Sequence, residues 1–201
     1  MSRRLGLIVT DASPLITLAA AEALDCLTMP GLPVIIPDMV YTEVTQDLAR
    51  LGAEEVVHWV RRHHGQVEIA PSEVFAEFQA LLTINPNICS QGRGEEAALE
   101  VLAAAVEADR ELHAILLFED SDIRSRSFVR VLPERVTALS TGDLLHELEA
   151  AARIQSSDHI LDRAATRGRN IEKQRQPIAG AEPRMALRQH LRQRDGDPKP
   201  G

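Results

Sequence analysis

The stretch "LGLIVTDASPLITLAAAEAL", residues 5–24, changes from a β-branched apolar run to a helical repeat at one acidic residue. Leu5, Leu7, Ile8 and Val9 read as a short buried strand. Ser13 is an N-cap residue type and Pro14 suits a first helical position, with Leu15, Leu18, Ala19 and Glu22 following at helical spacing. Asp11 therefore lies at the carboxyl end of a strand, on the rim where open α/β sheets bind ligands. An aspartate there also serves as an Asx turn or auxiliary cap. Residues 5–24 alone leave both roles open.

The same alternation continues outward. Val34–Ile36 read as a second strand ended by Pro37, and Asp38 can cap a helix over "MVYTEVTQDLARL". Helices are expected at Ala53–His64 and Ser72–Leu82, joined by "HHGQVEIAPS", and "INPNICSQGRG" reads as a loop. A long helix is expected from Glu95 to Ala108, then a strand "HAILLFEDSD" ending in acids and a short helix "DIRSRSF". "RVTALSTGDLLHELEAAARI" reads as strand, turn and helix, and a last helix covers Ser157–Thr166 with Gly168 as its stop. Short apolar strands separated by amphipathic helices imply a parallel sheet covered on both faces. Residues 172–201, rich in Pro, Gly, Gln and charge, are expected to be a disordered tail. Met185, Leu187 and Leu191 could form one amphipathic turn within it.

Composition narrows the function classes. A chain of 201 residues suits one domain with an ample core, and 3% aromatics exclude a base-stacking RNA-recognition sheet. Cys26 and Cys89 have neither metal-ligand spacing nor a disulfide pattern, which points to reduced thiols in the cytoplasm. The apolar run after "MSRR" is too short for a signal peptide, and no stretch approaches the roughly 18 apolar residues of a membrane span. The net charge is −8, but residues 169–201 carry eight Lys/Arg against four Asp/Glu, leaving −12 on residues 1–168. An acidic body with a basic tail argues against simple electrostatic binding of nucleic acid by the body.

Three further sets of acids stand out. Glu43 follows Val40 by three residues and Met39 by four, which turns it toward an apolar helix face. It reads either as a flank residue just clear of the core or as a functional carboxylate. Glu95 precedes Ala98 and Leu99 and shares the inward stripe of Leu102 and Val106, whereas Glu96 pairs with Glu100 on a solvated pattern. The helix dipole alone would favour an acid at Glu95. In "LFEDSD", strand alternation sends Asp120 and Asp122 one way and Glu119 the other. Two carboxylates ~4 Å apart repel by about 4 kcal/mol at an effective dielectric near 20, so a converging set must protonate or bind a cation. Oxygen-only ligands favour Mg²⁺ or Mn²⁺. His63 and His64 lie beside Arg61 and Arg62 with no partner ligand in the pattern, so they read as a solvent face.

The pieces "IVTDASPLITLA", "VIIPDMVYTEV", "GRGEEAALEVL", "LLFEDSDIRSRS" and "ALSTGDLLHELEAAARI" together resemble PIN-domain proteins, in particular VapC-type toxins of bacterial toxin–antitoxin pairs. They occur in that family's order across nearly all of residues 5–168. The resemblance implies a three-layer α/β/α sandwich with a central parallel sheet, residues 1–168 as a nuclease domain, and metal-dependent cleavage of RNA. It places the catalytic, metal-holding acids on Asp11, Glu43, Glu95 and Asp120, with Asp122 accessory and Ser13 as the small polar residue after the first acid. Relatives of this branch tend to carry two adjacent aspartates where this chain has Glu119-Asp120, so the fourth ligand falls on Asp120 or, one residue earlier, on Glu119. Arg93, Arg124 and Arg126 flank the acids and would either hold neighbouring phosphates of the substrate or only balance charge. A small antitoxin protein and a homodimer are implied partners. Two other classes stand beside the nuclease. One is a PIN-fold binding or regulatory module without catalysis. The other is a phosphatase-like hydrolase with Asp11 as nucleophile, against which Ser13 stands where such enzymes use a second acid.

Overall fold

Five parallel strands form the sheet of this computed structural model, which describes residues 5–90, 92–119, 132–133, 135–175 and 181–196. In chain order they are β1 (Leu5–Thr10), β2 (Val34–Pro37), β3 (Val67–Ala70), β4 (His113–Phe118) and β5 (Val136–Ser140). Their spatial order is β3-β2-β1-β4-β5. Eight α-helices are described: α1 (Ala12–Ala20), α2 (Asp38–Thr45), α3 (Ala53–Arg62), α4 (Glu73–Ile84), α5 (Arg93–Ala108), α6 (Thr141–Ala150), α7 (Ser157–Thr166) and α8 (Ala181–Gly196).

Strand alternation divides the apolar side chains between two layers. Ile8, Ile36, Ile115, Leu117 and Leu139 pack with Leu15, Leu18, Val56, Trp59, Leu144, Leu148 and Leu161, so one face is covered by α1, α3, α6 and α7. Val9, Leu116 and Phe118 face the other way, onto Ala98, Leu102 and Val106 of α5. Met39, Val74, Phe78 and Ala97 tie α2 and α4 to α5. The expected three-layer α/β/α sandwich with a central parallel sheet is the observed architecture. Connections run outward from β1 in opposite directions, so the topological switch point lies between β1 and β4.

Three local readings change. Asp11, not Ser13, is the N-cap of α1, which puts Pro14 two positions later in the first turn. "HHGQVEIAPS" contains β3, a four-residue edge strand in which only Val67 is buried, so no alternating apolar signal marked it. The third concerns the expected disordered tail. Leu187 and Leu191 of α8 are fully buried in the main core, Arg188 makes a two-pronged pair with buried Glu147 (2.7 and 2.9 Å), and His190 meets the Pro30 carbonyl at 2.9 Å. Its low overall hydropathy hid one apolar stripe that the core needed. The expected helix "DIRSRSF" lies outside the described residues.

Candidate active site at the switch point

β1 ends at Thr10, and the Asp11 N–H still donates to the Leu117 carbonyl of β4 at 3.0 Å. That bond pins the turn to the neighbouring strand at the switch point. Asp11 has extended backbone angles and starts α1, yet its side chain accepts no capping hydrogen bond. The capping role that its position offered is therefore not the one it plays.

Glu43 arrives from α2, on the face that carries the buried Met39 and Val40, with buried Val44 next to it. Asp38 anchors the start of that helix: its Oδ1 accepts from Met39 N (2.8 Å) and Ser72 Oγ (2.6 Å), and its Oδ2 accepts from Ser72 N (3.1 Å). The end of β2 is thus tied to the start of α4, and the carboxylate side of α2 faces α5.

The meeting point is Gly94, in the first turn of α5. A Cβ placed there would lie 2.6 Å from Glu43 Oε2 and 3.7 Å from Asp11 Oδ1. Both carboxylates therefore reach one point beside the positive end of a sixteen-residue helix. Any side chain on residue 94 would fill the space they occupy. Burial, reinforced by the Asp11 charge, raises the Glu43 pKa above its ordinary 4.5, and Arg50 opposes this only in part.

Glu95 is half-buried on the same turn of α5 while Glu96 is exposed, as their spacing predicted. Glu100, read as solvated, instead accepts from the Glu73 (2.7 Å) and Val74 (3.2 Å) amides and so caps α4. Arg93 lies with its guanidinium carbon 5.5 Å from the centre of the Phe78 ring, at the helix start beside the acids. Ser13 is half-buried, and its carbonyl accepts from Arg169 at 3.3 Å. Asp120, Asp122, Arg124 and Arg126 lie outside the described residues.

Glu119 is turned away from the Gly94 cradle. Its Oε1 accepts from Thr141 Oγ1 (2.5 Å), and its Oε2 from Thr17 Oγ1 (2.9 Å) and Arg169 (3.2 Å). It is buried on the α1–α6 face, where desolvation raises its pKa against the pull of those donors. Both of its oxygens accept hydrogen bonds there, from Thr17, Thr141 and Arg169. Sequence reasoning also missed Gly94 and Arg169. A glycine inside the first turn of a strong helix is a legible signal, because helix propensity disfavours it. Arg169 had none beyond its place after the Gly168 stop.

Among the described residues, no three His, Cys, Asp or Glu side chains gather as metal ligands would, so the visible centre is the Asp11–Glu43 pair. An oxygen-only pair of this kind fits a hard divalent cation, and the missing side chain of Gly94 is what lets both carboxylates approach the same point. His63, by contrast, is occupied structurally: its Nδ1 lies 3.1 Å from the Trp59 carbonyl.

No curated protein and no solved structure matches the chain at a significant level. A family model described as a PIN domain matches residues 7–112, which hold most of β1, the Asp11 turn, α2 with Glu43, and α5 with Gly94 and Glu95. On that match, which covers more than half of its length, the chain belongs to the PIN domain family.

Proposed function

We propose that the protein is a divalent-metal-dependent endoribonuclease. The observation that carries this reading is the convergence of the Asp11 and Glu43 carboxylates on Gly94 at the switch point of a PIN-domain sheet. Two like charges set in a half-buried niche are unfavourable by themselves, and a cation converts that repulsion into binding.

Asp11 and Glu43, with Glu95 on the next residue of α5 and Asp120 and Asp122 after β4, would hold Mg²⁺ or Mn²⁺. Such an ion acidifies bound water and offsets charge that builds on a phosphodiester under attack. The protein's own contribution is placement. The Asp11 amide bond to Leu117 fixes one carboxylate, the α2 packing fixes the other, and Gly94 lets both approach the α5 N-terminus. Arg93, Arg124 and Arg126 would hold flanking phosphates, with Ser13 beside the first acid.

In this reading the protein is the toxin of a toxin–antitoxin pair. It works in the cytoplasm as a homodimer, and a small antitoxin protein covers the acidic rim. The five sequence stretches that resemble VapC-type toxins support it, as does the lack, among the described residues, of any helix long and apolar enough to cross a membrane.

The deciding experiment compares RNA cleavage by wild type and Asp11→Asn with Mn²⁺ and with EDTA. Cleavage should require the cation and vanish in the variant. Cleavage that survives either treatment refutes the mechanism. A second reading, a PIN-fold binding or regulatory module, is favoured by the absence of a third described acid at the pair. Calorimetry with Mn²⁺ separates them, since a pure binding module has no reason to bind the ion tightly.

A further inference from the structure

Arg169 is the point where the segment after α7 reaches back to the Asp11 turn. α7 closes with Gly168 in the left-handed region (φ 90°), and the Arg169 amide donates to the Ala164 carbonyl at 3.1 Å. This reversal aims the Arg169 side chain between α1 and the end of β4. There its Nε donates to Thr17 Oγ1 (2.9 Å), and its Nη2 to the Ser13 carbonyl (3.3 Å) and Glu119 Oε2 (3.2 Å). Thr17 and Thr141 also donate to Glu119, so one planar fork and two hydroxyls close a network across α1, β4 and α6.

The chain continues as a strap. Gln174 is buried, its Oε1 accepts from the Gly142 amide at 3.3 Å, and its carbonyl lies so close that a Cβ on Gly142 would overlap it. Residues 169–174 thus run under the first turns of α1 and α6, on the face of the sheet opposite Gly94 and α5.

We propose that Arg169 is a positioning residue of the candidate active site, holding the first turn of α1, and with it Asp11, in register against the carboxyl end of β4. The inference rests on the nuclease reading above. Ser13 is two residues from Asp11, and the bond to its carbonyl acts on the backbone that carries the carboxylate. Glu119 supplies the fixed counterpart, since it is buried and held by two hydroxyl donors besides Arg169. A lysine places a charge but cannot serve three acceptors from one plane. Outer-shell partners that orient metal-holding carboxylates are commonly worth ~10- to 100-fold in metal affinity or activity.

The test uses the full chain as wild type, Arg169→Lys, Arg169→Ala and Thr17→Val, each shown folded by circular dichroism and assayed well below its own melting temperature. Mn²⁺ half-saturation, kcat and KM for RNA are measured together. For both Arg169 variants the Mn²⁺ half-saturation should rise, or kcat fall, by about tenfold or more, with KM for RNA within about twofold. Thr17→Val, which removes one donor to Glu119 and the acceptor of Arg169 Nε but leaves the Nη2 bond to Ser13, should show a smaller shift in the same direction. Variants that melt earlier but keep wild-type metal half-saturation and kcat would make Arg169 a stability residue and overturn the inference alone. If Arg169→Ala fails to fold, Arg169→Lys and Thr17→Val carry the same comparison. A wild type that neither binds Mn²⁺ nor cleaves RNA overturns this inference together with the nuclease reading.

Discussion

Glu43→Gln should stabilise the protein when divalent cations are absent and weaken its response when they are present. Asp11 Oδ1 and Glu43 Oε2 both lie within 4 Å of one point at Gly94. Two charges ~5 Å apart repel by about 3 kcal/mol at an effective dielectric of 20 and by about 1 kcal/mol in bulk water. Glu43 is only half-buried, so screening sets the usable figure near the lower end, about 1 kcal/mol. In a chain of this size that corresponds to a rise of roughly 2–4 °C in Tm in EDTA at neutral pH. The pH dependence has a definite sign. The folded pKa of Glu43 lies above its ordinary value, so the folded state binds the proton more tightly than the unfolded chain does. The penalty in wild type is absent below about 4.5, grows as pH rises through the interval up to the folded pKa, and is complete above it. The advantage of the glutamine should follow the same course and vanish in acid. Adding Mn²⁺ at ~100 times its Kd should stabilise wild type by about 2.7 kcal/mol and the variant by less, which inverts the order of the two melting curves. Differential scanning calorimetry at several pH values, with EDTA and with Mn²⁺, checks each part. A variant less stable than wild type in EDTA, a gap that persists in acid, or equal Mn²⁺ shifts would refute the reasoning.

Gly94→Ala should leave the unfolding free energy within about 1 kcal/mol of wild type, since alanine favours the helix, while the new Cβ displaces the Glu43 carboxylate; Mn²⁺ binding and RNA cleavage should fall together. Leu191→Ala empties a fully buried site under α8 and should cost about 2–5 kcal/mol, read as a lower denaturation midpoint. Arg188→Ala leaves the Glu147 carboxylate buried without its two-pronged partner, so α8 should become more sensitive to limited proteolysis at neutral pH than in wild type. Equal protection in the two proteins would show that α8 is held by its apolar stripe alone.

The sheet was legible wherever strands are buried on both faces. β1 and β5 run directly into a helix and β4 is an apolar run, and each was read nearly in place. β3 was not, because an edge strand with one buried residue has the composition of a loop. The C-terminal segment misled for a related reason. Charge and proline dominate its average, whereas Leu187 and Leu191 at helical spacing decide where it goes. Composition measures the solvent face of such a helix, and its packing is set by the few residues that composition dilutes.

The acids show where residue type stops being informative and geometry takes over. Asp11 and Glu43 were candidates by position, but nothing in either stretch said that they would meet; Gly94, which makes the meeting possible, carries no chemistry of its own. At the end of β4 the division is sharper. Phe118 packs toward α5, so strand alternation turns Glu119 to the opposite face, where Thr17, Thr141 and Arg169 take up its oxygens. A glutamate is long enough to reach those three donors from the end of the strand, and an aspartate in its place would fall one methylene short. The glutamate at position 119 therefore has a structural reason on this chain: its length is used to lock α1 and α6 to the sheet.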